Sequence, residues 1–156
     1  TLRLGAVSDT GDGTGKIEAA KITSLKLKQI TSGAVTKILT GFLGKQTQIP
    51  PMYSAKKIGG KKLYELARQG KTVERNPMLI DIYDLKLLDY RWPDLKIEVT
   101  CSPGTYIRAL AHDIGQELGC GAYLEELQRT KIGKYNLKDA IETKNLTKEN
   151  WAKFLF

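Results

Sequence analysis

An arginine stands near the predicted beginning of a helix, where a positive charge is unfavourable. Arg108 follows Pro103 and Gly104, two residues that break regular structure, and apolar residues then recur at helical spacing to about residue 118. Because the dipole at the amino-terminal end of a helix disfavours a cation, we expect Arg108 to pair with a carboxylate or a phosphate. Arginines are also common in the first turns of ordinary surface helices, so this position alone is a weak indication of anion binding.

A second group of residues that could bind anions lies in MYSAKKIGGKKLYELARQGK, residues 52–71. Six basic residues minus one acid, Glu65, give this stretch a net charge of +5, against +8 for the whole chain. The basic residues are Lys56, Lys57, Lys61, Lys62, Arg68 and Lys71. Clustered positive charge indicates a polyanion such as nucleic acid, because each phosphate that is neutralised releases condensed counterions. The alternative is a solvated face that only keeps the protein in solution.

Apolar residues are interleaved with these basic residues, and they allow two interpretations. Aromatic side chains in such a stretch can stack on or pack against the exposed nucleotides of an RNA, while the cations contact its phosphates. Alternatively, Tyr53, Leu63, Tyr64 and Leu66 anchor the element to its own domain and the lysines face water. We expect both, with the apolar residues mostly anchoring and the lysines mostly binding.

Several common kinds of catalytic site are disfavoured by the residues present. His112 is the only histidine, and its place one helical turn after Arg108 favours a surface or packing role over Cys-His or Ser-His chemistry. The spacing of Cys101 and Cys120 fits no zinc pattern, and two buried thiols are favoured over a disulfide. GDGTGK, residues 11–16, lacks the spacing of a phosphate-binding Walker loop and is predicted to form a turn.

The length and composition of the chain favour one domain of ordinary globular type. A chain of 156 residues with 41% hydrophobic and 27% charged residues can bury a core and cover it with a normal surface. No apolar run approaches the roughly 18 residues of a membrane span, and nothing resembles a signal peptide. The sequence therefore predicts a soluble, cytosolic protein without a membrane partner.

The first part of the chain is predicted to contain a strand, a loop and a helix. TLRLGAV alternates like a strand from Thr1 onwards, which indicates a chain entered partway through a sheet, with an upstream segment that is either missing or has been removed. SDTGDGTG, residues 8–15, is rich in turn-forming residues and is predicted to be a loop. A helix over residues 33–44 follows, with Gly44 as its C-cap.

The middle of the chain is predicted to leave the sheet and to return to it. The two prolines of QIPP, residues 48–51, break regular structure because each removes a backbone donor. The elements predicted after them are an extended piece, a Gly59-Gly60 turn, a helix over about 61–69 ending at Gly70, and strands at 79–90 and 95–101 joined by a turn at Trp92, Pro93 and Asp94.

The last third of the chain contains the clearest helix, over about residues 105–118, and Gly119 should end it. The apolar stripe of this helix consists of Ile107, Leu110, Ala111, Ile114 and Leu118. The elements predicted after it are a short helix around Leu124 and Leu127, a strand at KIGKYNL, and a terminal helix over 147–156 with Trp151, Phe154 and Leu155. Together these elements predict an α+β fold in which the basic stretch is an excursion from a sheet domain.

Two long motifs resemble those of one enzyme family. QIPPMYSAKKIGGKKLYELARQG is followed by SPGTYIRALAHDIGQELGCGAYLEELQRTKIG, and together they strongly resemble the TruB family of tRNA pseudouridine synthases. The SDTGDGTG loop is similar to that family as well. The resemblance runs from Thr1 to about Ala140, nearly the whole chain, and both long motifs are specific.

The resemblance implies a reaction, a fold and a domain arrangement. TruB-like enzymes detach the uracil of one uridine in the T loop of tRNA from nitrogen 1, turn it, and rejoin it to the ribose through carbon 5, with no metal and no organic cofactor. The implied fold is α+β, a pseudouridine-synthase-like mixed β-sheet with flanking helices and an inserted RNA-binding thumb. Residues 1–144 would be a partial catalytic domain with the thumb at about 49–76, and residues 145–156 a C-terminal helical tail, with no appended RNA-binding domain.

The resemblance also implies roles for individual residues. Arg108 matches the arginine that pairs with the family's catalytic aspartate, Tyr106 matches a tyrosine that lines the cleft, and Leu127 matches a leucine that helps to hold the uracil ring. Asp12 matches an acid near the active site, whereas Asp9 is expected to tie down its own loop. The residues implied to bind the substrate are Asp12, Tyr53, Lys56, Lys57, Lys61, Lys62 and Arg68, of which Tyr53 and Lys57 match positions at the base of the thumb.

The family's catalytic aspartate lies upstream of the region that matches Thr1, and so does a tyrosine that stacks on the target base. The resemblance therefore predicts a tRNA pseudouridine synthase seen as a fragment, which by itself is expected to be inactive. Its implied partners are the T arm of tRNA and the missing amino-terminal segment, and it is expected to be monomeric. The alternative is a catalytically inactive RNA-binding protein of the same fold.

Overall fold

Residues 1–126 are built around a five-stranded sheet whose strands come from both ends and from the middle of that segment. The computed structural model describes residues 1–154, and a second unit of the chain begins at Leu127. The strands are β1 (Leu2–Leu4), β2 (Ala6–Ser8), β3 (Ile17–Ala19), β4 (Gly44–Gln48), β5 (Lys57–Ile58), β6 (Lys61–Lys62), β7 (Met78–Arg91), β8 (Asp94–Cys101), β9 (Ala122–Leu124), β10 (Lys131–Ile132) and β11 (Tyr135–Asn136). The α-helices are α1 (Ser24–Gln29), α2 (Ser32–Gly41), α3 (Leu63–Arg68) and α4 (Ile107–Leu118).

The sheet has the strand order β4-β7-β8-β1-β9, and each neighbouring pair of strands is antiparallel. The hairpin of β7 and β8 forms its centre, as the strands predicted at 79–90 and 95–101 require. A parallel contact between residues outside the strand pairs, the bridge of Asp12 with Leu124, ties the loop after β2 to β9. The α+β class predicted from the sequence is confirmed.

Helices α2 and α4 pack against the sheet and against each other. Their apolar faces share one hydrophobic core with the strands, and α4 contributes most of the helical part. Fully buried members of this core include Leu2, Val35, Ile82, Leu95, Leu110 and Ile114. The helix predicted over about 105–118 is confirmed, and Gly119 ends it in the left-handed conformation, with φ +68°. Because α4 is held along its length by this core, its first turn is presented at a defined place.

Several predicted boundaries are wrong because long-range pairing overrides the local pattern. Helix α2 ends at Gly41, and Gly44 is not its C-cap but the first residue of β4, which pairs with β7. The short helix predicted around Leu124 is instead strand β9, whose three residues are all buried beside β1. The strand predicted from Thr1 is interrupted at Gly5, where φ is +87°, so that β2 turns away to pair with β3.

The thumb, residues 49–76, joins β4 to β7, two strands that pair with each other in the sheet. Leu63, at the start of α3, is fully buried, and its backbone N–H donates to the carbonyl oxygen of Lys56 at 2.8 Å. An apolar residue therefore anchors the thumb, as expected. The helix begins at Leu63 rather than at residue 61 because Lys61 and Lys62 pair with β5 as strand β6.

The contact between α4 and β9 depends on a glycine, and it gives a prediction about stability. A Cβ at Gly115 would lie 2.2 Å from the backbone nitrogen of Ala122 and 2.5 Å from the carbonyl carbon of Gly121. The gain in helix propensity for Gly115→Ala is about 1 kcal/mol, but overpacking against backbone that cannot yield costs about 1–3 kcal/mol or more. We expect Gly115→Ala to lower the free energy of unfolding in urea. Gly41→Ala, where a Cβ meets nothing within 4 Å, is the control and should be neutral or stabilising.

The second unit contains little regular structure in its described part. The strand predicted at KIGKYNL is instead a hairpin of two strands, β10 and β11, of two residues each, with a turn at Gly133, where φ is +55°. The terminal helix predicted over 147–156 is a short 3-10 turn at Trp151–Phe154, and Leu155 lies outside the described residues. The predicted division of the chain between residues 144 and 145 stays a prediction. Within residues 1–154, no helix is both long enough and apolar enough to span a membrane.

Candidate active site

The guanidinium of Arg108 joins three separate parts of the first unit. Arg108 is the second residue of α4, directly after the N-cap Tyr106 and Ile107. Its Nη1 donates to the Asp12 carboxylate at 3.0 Å and to the Thr10 carbonyl oxygen at 3.3 Å, and its Nη2 donates to the Tyr53 carbonyl oxygen at 2.8 Å. The side chains of Arg108 and Asp12 are only 26% and 24% exposed. The expectation that Arg108 pairs with a carboxylate is confirmed, and this carboxylate belongs to the chain itself.

Asp12 is held in place by its own loop, residues 8–15. Its Oδ1 accepts hydrogen bonds from the Thr10 hydroxyl at 2.9 Å, from the Thr14 hydroxyl at 2.6 Å and from the Thr14 backbone N–H at 3.1 Å. Such bonds from residues two positions away are typical of aspartate turns. Because the threonines engage Oδ1, the other carboxylate oxygen is directed to Arg108.

The pKa of Asp12 lies below the usual value of an aspartate. Partial burial by itself raises this pKa, but the hydrogen bonds from Thr14 and Thr10 and the charge of Arg108 together outweigh that effect. The carboxylate is therefore ionised throughout the neutral pH range. Arg108 consequently has a permanent negative partner, which offsets the unfavourable helix dipole at its position.

The lowered pKa of Asp12 gives a prediction about pH. Since the pKa is lower in the folded state than in the unfolded state, the carboxylate contributes stability above the unfolded pKa of about 4, and this is lost as pH falls through the folded pKa. We expect Asp12→Asn to lower the free energy of unfolding by about 1–2 kcal/mol near pH 7, and the difference from wild type to shrink towards about pH 3. Urea unfolding of both proteins across this range measures it. A difference that is independent of pH would contradict the assignment.

Two further residues shape the loop around Asp12. Gly11 has φ +78°, and a Cβ there would lie 3.3 Å from the Cβ of Arg108, so a side chain would be both strained and crowded. Asp9 accepts the backbone N–H of Lys16 at 2.8 Å, which confirms that it ties down its own loop.

The backbone of Tyr106 is held by a side chain from the sheet. Gln48, the last residue of β4, accepts the Tyr106 N–H at 2.8 Å and donates to the Tyr106 carbonyl oxygen at 3.1 Å. Neither this glutamine nor the carbonyl of Tyr53 was predicted, because the two contacts join residues 58 and 55 positions apart in the chain. The sequence signal that was present is a polar residue two positions before a pair of prolines, at the end of a segment that was not predicted to be a strand.

The predicted RNA-binding residues of the thumb lie on or beside its short ribbon and helix. Lys57 and Lys61 are exposed, and their neighbours Lys56 and Lys62 are half-buried. Glu65, the only acid in the basic stretch, accepts the backbone N–H of Lys62 at 3.2 Å and so caps α3. It forms no ion pair with a lysine among the described residues. The positive charge of the thumb is therefore left for another partner.

The ring of Tyr64 contacts two cations of the thumb. The Nζ of Lys62 and the guanidinium carbon of Arg68 are each 5.4 Å from the ring centroid, within the range of cation–π contacts. Tyr64 therefore helps to position two basic side chains of the thumb, while the buried Leu63 anchors α3.

The role of Leu127 stays a prediction; Leu127 is the first residue of the second unit and is 62% exposed. The prediction that Cys101 and Cys120 are free thiols is confirmed, but the prediction that both are buried is wrong, because Cys101 at the end of β8 is partly exposed. His112 is exposed, as a surface role requires. Within residues 1–154, no three or more His, Cys, Asp and Glu side chains are placed to hold a metal ion.

Comparison with known proteins identifies the same family over nearly the whole length of the chain. Residues 1–107 match the family described as "TruB family pseudouridylate synthase (N terminal domain)", and residues 108–154 match "tRNA pseudouridylate synthase B C-terminal domain". A "tRNA pseudouridine synthase B" of Syntrophomonas wolfei is 50% identical over 145 residues, which is 90% of this chain and 47% of that protein. One of Francisella tularensis is 47% identical over 146 residues, 94% of this chain and 47% of that protein. The chain therefore spans about half the length of the curated relatives that it matches.

A solved structure shares the fold. A chain in "Crystal Structure of a Cbf5-Nop10-Gar1 Complex" superposes on this chain with a TM-score of 0.58 and 23% sequence identity. The superposed region covers 90% of this chain and 32% of the chain in the solved structure. At this identity the likeness concerns the fold alone. The two family matches together cover nearly every residue, and the loop, the thumb and the first turn of α4 that surround Arg108 all lie within them. The chain accordingly belongs to the TruB family of pseudouridylate synthases.

Proposed function

We propose that the protein to which this chain belongs is a tRNA pseudouridine synthase, which isomerises a uridine in the T loop of tRNA to pseudouridine. Its membership of the TruB family and the names of its relatives support the reaction. The observation that carries the proposal is the contact of Arg108 with both Asp12 and the carbonyl of Tyr53. Through it, an anion-binding group and the base of a basic RNA-binding thumb meet at one place.

Arg108 has the capacity to bind a second anion. A guanidinium has five N–H groups, and three of them donate to Asp12, Thr10 and Tyr53. The Nε–H and one Nη2–H have no acceptor among residues 1–154. We infer that these two groups bind the catalytic aspartate of the upstream family motif, as a fork binds a carboxylate.

Arg108 then keeps the catalytic carboxylate ionised and directed at the substrate. An opposite charge within about 4–6 Å favours the ionised form, whereas a second carboxylate such as Asp12 would disfavour it by repulsion. A guanidinium between the two carboxylates screens that repulsion. The upstream aspartate would attack the ribose or otherwise promote loss of the uracil, and the uracil would then rejoin through carbon 5.

Tyr106 and Leu127 are proposed to line the cleft around the detached uracil. The uracil must be kept in place until it rejoins the ribose, so water must be excluded during this step. Tyr106 is two residues before Arg108, and its backbone is held by two hydrogen bonds from Gln48. A fixed backbone suits a residue whose side chain lines a cleft. Leu127 would supply an apolar contact to the ring.

The thumb is proposed to bind the T arm while the target uridine is flipped out of the folded loop. Flipping costs a few kcal/mol of stacking, which contacts to the backbone must offset. The residues proposed to make these contacts are Tyr53, Lys56, Lys57, Lys61, Lys62 and Arg68. Because the charges of the four lysines and of Arg68 are not neutralised by an acid among the described residues, these charges are available to phosphates.

The reaction as proposed needs no cofactor, and the protein is proposed to act as a monomer in the cytoplasm. Besides tRNA, its essential partner would be the upstream segment that carries the catalytic aspartate. The alternative is an inactive RNA-binding protein of the same fold, which the positive charge of the thumb supports equally well because it bears on binding and not on the reaction.

The test uses the full-length protein and a tRNA whose uridines carry tritium at carbon 5. Bonding of carbon 5 to the ribose displaces its hydrogen, so isomerisation releases tritium into water. We expect release from a tRNA with an intact T loop, and none when the target uridine is replaced by cytidine. Binding of tRNA without any release of tritium would establish the inactive RNA-binding protein instead.

A further inference from the structure

We propose that Gln48 is a positioning residue, which sets the place of Tyr106 and Arg108 at the beginning of α4. The kinetic part of this inference rests on the proposed function, whereas its structural part rests on contacts within the chain alone. Gln48 lies on the edge strand β4 and contacts neither the substrate nor the catalytic aspartate in this proposal, so it acts through the two residues that it holds.

The side chain of Gln48 forms two hydrogen bonds with the backbone of one residue, Tyr106. Its Oε1 accepts the N–H of Tyr106 at 2.8 Å, and its Nε2 donates to the carbonyl oxygen of the same residue at 3.1 Å. The same carbonyl also accepts the N–H of Leu110 at 3.1 Å, the first hydrogen bond of the helix. Two bonds to one residue fix its rotation as well as its distance, and Gln48 is itself only 3% exposed. The first turn of α4 is therefore oriented by the sheet.

A second attachment follows a few residues later in the same segment. Residues 48–53, here called the strap, end at Tyr53, whose carbonyl oxygen accepts Nη2 of Arg108 at 2.8 Å. Between the two attachments lies Pro50, which is buried and whose carbonyl oxygen accepts Nη1 of Arg75 at 3.1 Å. Prolines at positions 50 and 51 restrict the backbone further. The strap thus holds the start of α4 from both the backbone of Tyr106 and the guanidinium of Arg108.

Loss of Gln48 should loosen this first turn without removing the helix. The rest of α4 is fixed by the hydrophobic core through the buried side chains of Leu110, Ala111 and Ile114, which do not depend on Gln48 for their burial. Without the glutamine, the N–H of Tyr106 loses its acceptor, and the turn that carries Arg108 gains freedom. Misplacement of a catalytic group by about 1 Å can lower a rate on the order of 100-fold. The effect should therefore be on kcat rather than on KM for tRNA.

The matched control is Gln46, two residues earlier on the same strand. Its side-chain amide donates to the carbonyl oxygens of Gly41 and Leu43, at the end of α2, and within residues 1–154 it forms no hydrogen bond with α4. We expect Gln48→Leu in the full-length protein to lower kcat on the order of 100-fold with KM little changed, and Gln46→Leu to leave kcat near the wild-type value. A wild-type kcat in Gln48→Leu, or an equal loss in Gln46→Leu, would overturn the inference.

Gln48→Glu gives a second measurement, the pH dependence of kcat, which would not change if Gln48 only contributed to the stability of the fold. This variant also tests the inference if Gln48→Leu does not fold. The glutamate side chain has nearly the same shape as glutamine and still accepts the N–H of Tyr106, but an ionised carboxylate has no hydrogen to donate to the Tyr106 carbonyl oxygen. A protonated carboxyl group can donate that hydrogen bond again. The ratio of its kcat to that of the wild type should therefore rise as pH falls through the pKa of the new carboxyl group, which burial raises. A ratio that is constant with pH would count against the assignment.

A measurement without substrate separates this inference from the proposed function. The guanidinium N–H signals of Arg108 in the proton–nitrogen spectrum, assigned by their absence in Arg108→Lys, report how firmly the group is held. We expect them to shift or broaden in Gln48→Glu and to remain unchanged in Gln46→Leu. If the wild type shows no isomerisation, the proposed function fails while this result stands. If the signals do not respond to Gln48, the positioning role fails whatever the activity.

Discussion

Replacing Arg108 by alanine in the full-length protein is expected to lower the rate of pseudouridine formation on the order of 1,000-fold or more, while the affinity for tRNA changes little. Losses of this size follow the removal of a single group that stabilises or orients a reacting charge. Arg108 contacts Asp12, Thr10 and Tyr53, and two further N–H groups without an acceptor in residues 1–154 are the ones proposed above to bind the catalytic carboxylate. Single-turnover release of tritium from carbon 5 measures the chemical step directly.

Arg108→Lys tests whether the charge alone is sufficient. A lysine keeps the positive charge, but its three N–H groups are all on one nitrogen, so it lacks the planar fork that reaches acceptors in two separate segments. We expect it to recover little of the lost rate. Arg91→Ala is the control, since this arginine has an 85% exposed side chain at the end of β7 and lies outside the site. Near-normal turnover in Arg108→Ala would defeat the role proposed for this residue.

The need of Arg108 for an anion could be predicted from the sequence, whereas its partners could not. An unfavourable dipole at a cation requires only that the cation lie near the beginning of a helix, and Pro103, Gly104 and the apolar stripe define that beginning locally. The partner Asp12 is 96 residues away in the chain, and the carbonyl of Tyr53 is 55 residues away. No local pattern encodes such a distance. The family resemblance placed Asp12 near the site but did not indicate that it pairs with Arg108.

The same limit explains which parts of the fold were predicted. The hairpin of β7 and β8 and helix α4 have strong periodicity over eight or more residues, and turn or cap residues at their ends. Strand β4 has the sequence GKQTQ, which contains no hydrophobic residue and forms because it pairs with β7 at the edge of the sheet. Strand β9 is only three residues long, so it has no clear period of its own, and it forms because it pairs with β1. The sequence there was therefore wrongly predicted to be a helix. Gln48 was missed because its strand was missed.

Removal of four lysines from the thumb is expected to have the largest effect on binding. The changes are Lys56, Lys57, Lys61 and Lys62, each to alanine. Exposed charge pairs contribute up to about 1 kcal/mol each, so the Kd for tRNA should rise on the order of 100-fold at low salt. The plot of log Kd against log salt should also lose about 0.7–0.9 in slope for each phosphate contact removed. Filter binding or fluorescence titration at several salt concentrations measures both quantities.

The control for this variant has the same change in charge at other exposed places on the first unit. It replaces four lysines that lie outside the thumb, namely Lys21, Lys28, Lys37 and Lys45. Both variants reduce the net charge from +8 by four, so they weaken long-range attraction of tRNA equally. A difference between them therefore reports direct contacts of the thumb. Equal loss of affinity and slope in the two variants would remove the thumb from the interface.

The thumb variant and the arginine variant should fail in opposite ways, which tests the separation of binding from chemistry within the site. The four lysine changes leave the backbone of Tyr53 in place, so Arg108 keeps its contact with the base of the thumb. At saturating tRNA, the lysine variant should therefore isomerise uridine at close to the wild-type rate, because its loss lies in a weaker complex. The arginine variant should remain slow at any tRNA concentration. A lysine variant that stays slow at saturation would mean that the charged ribbon of the thumb also takes part in assembling the reactive site.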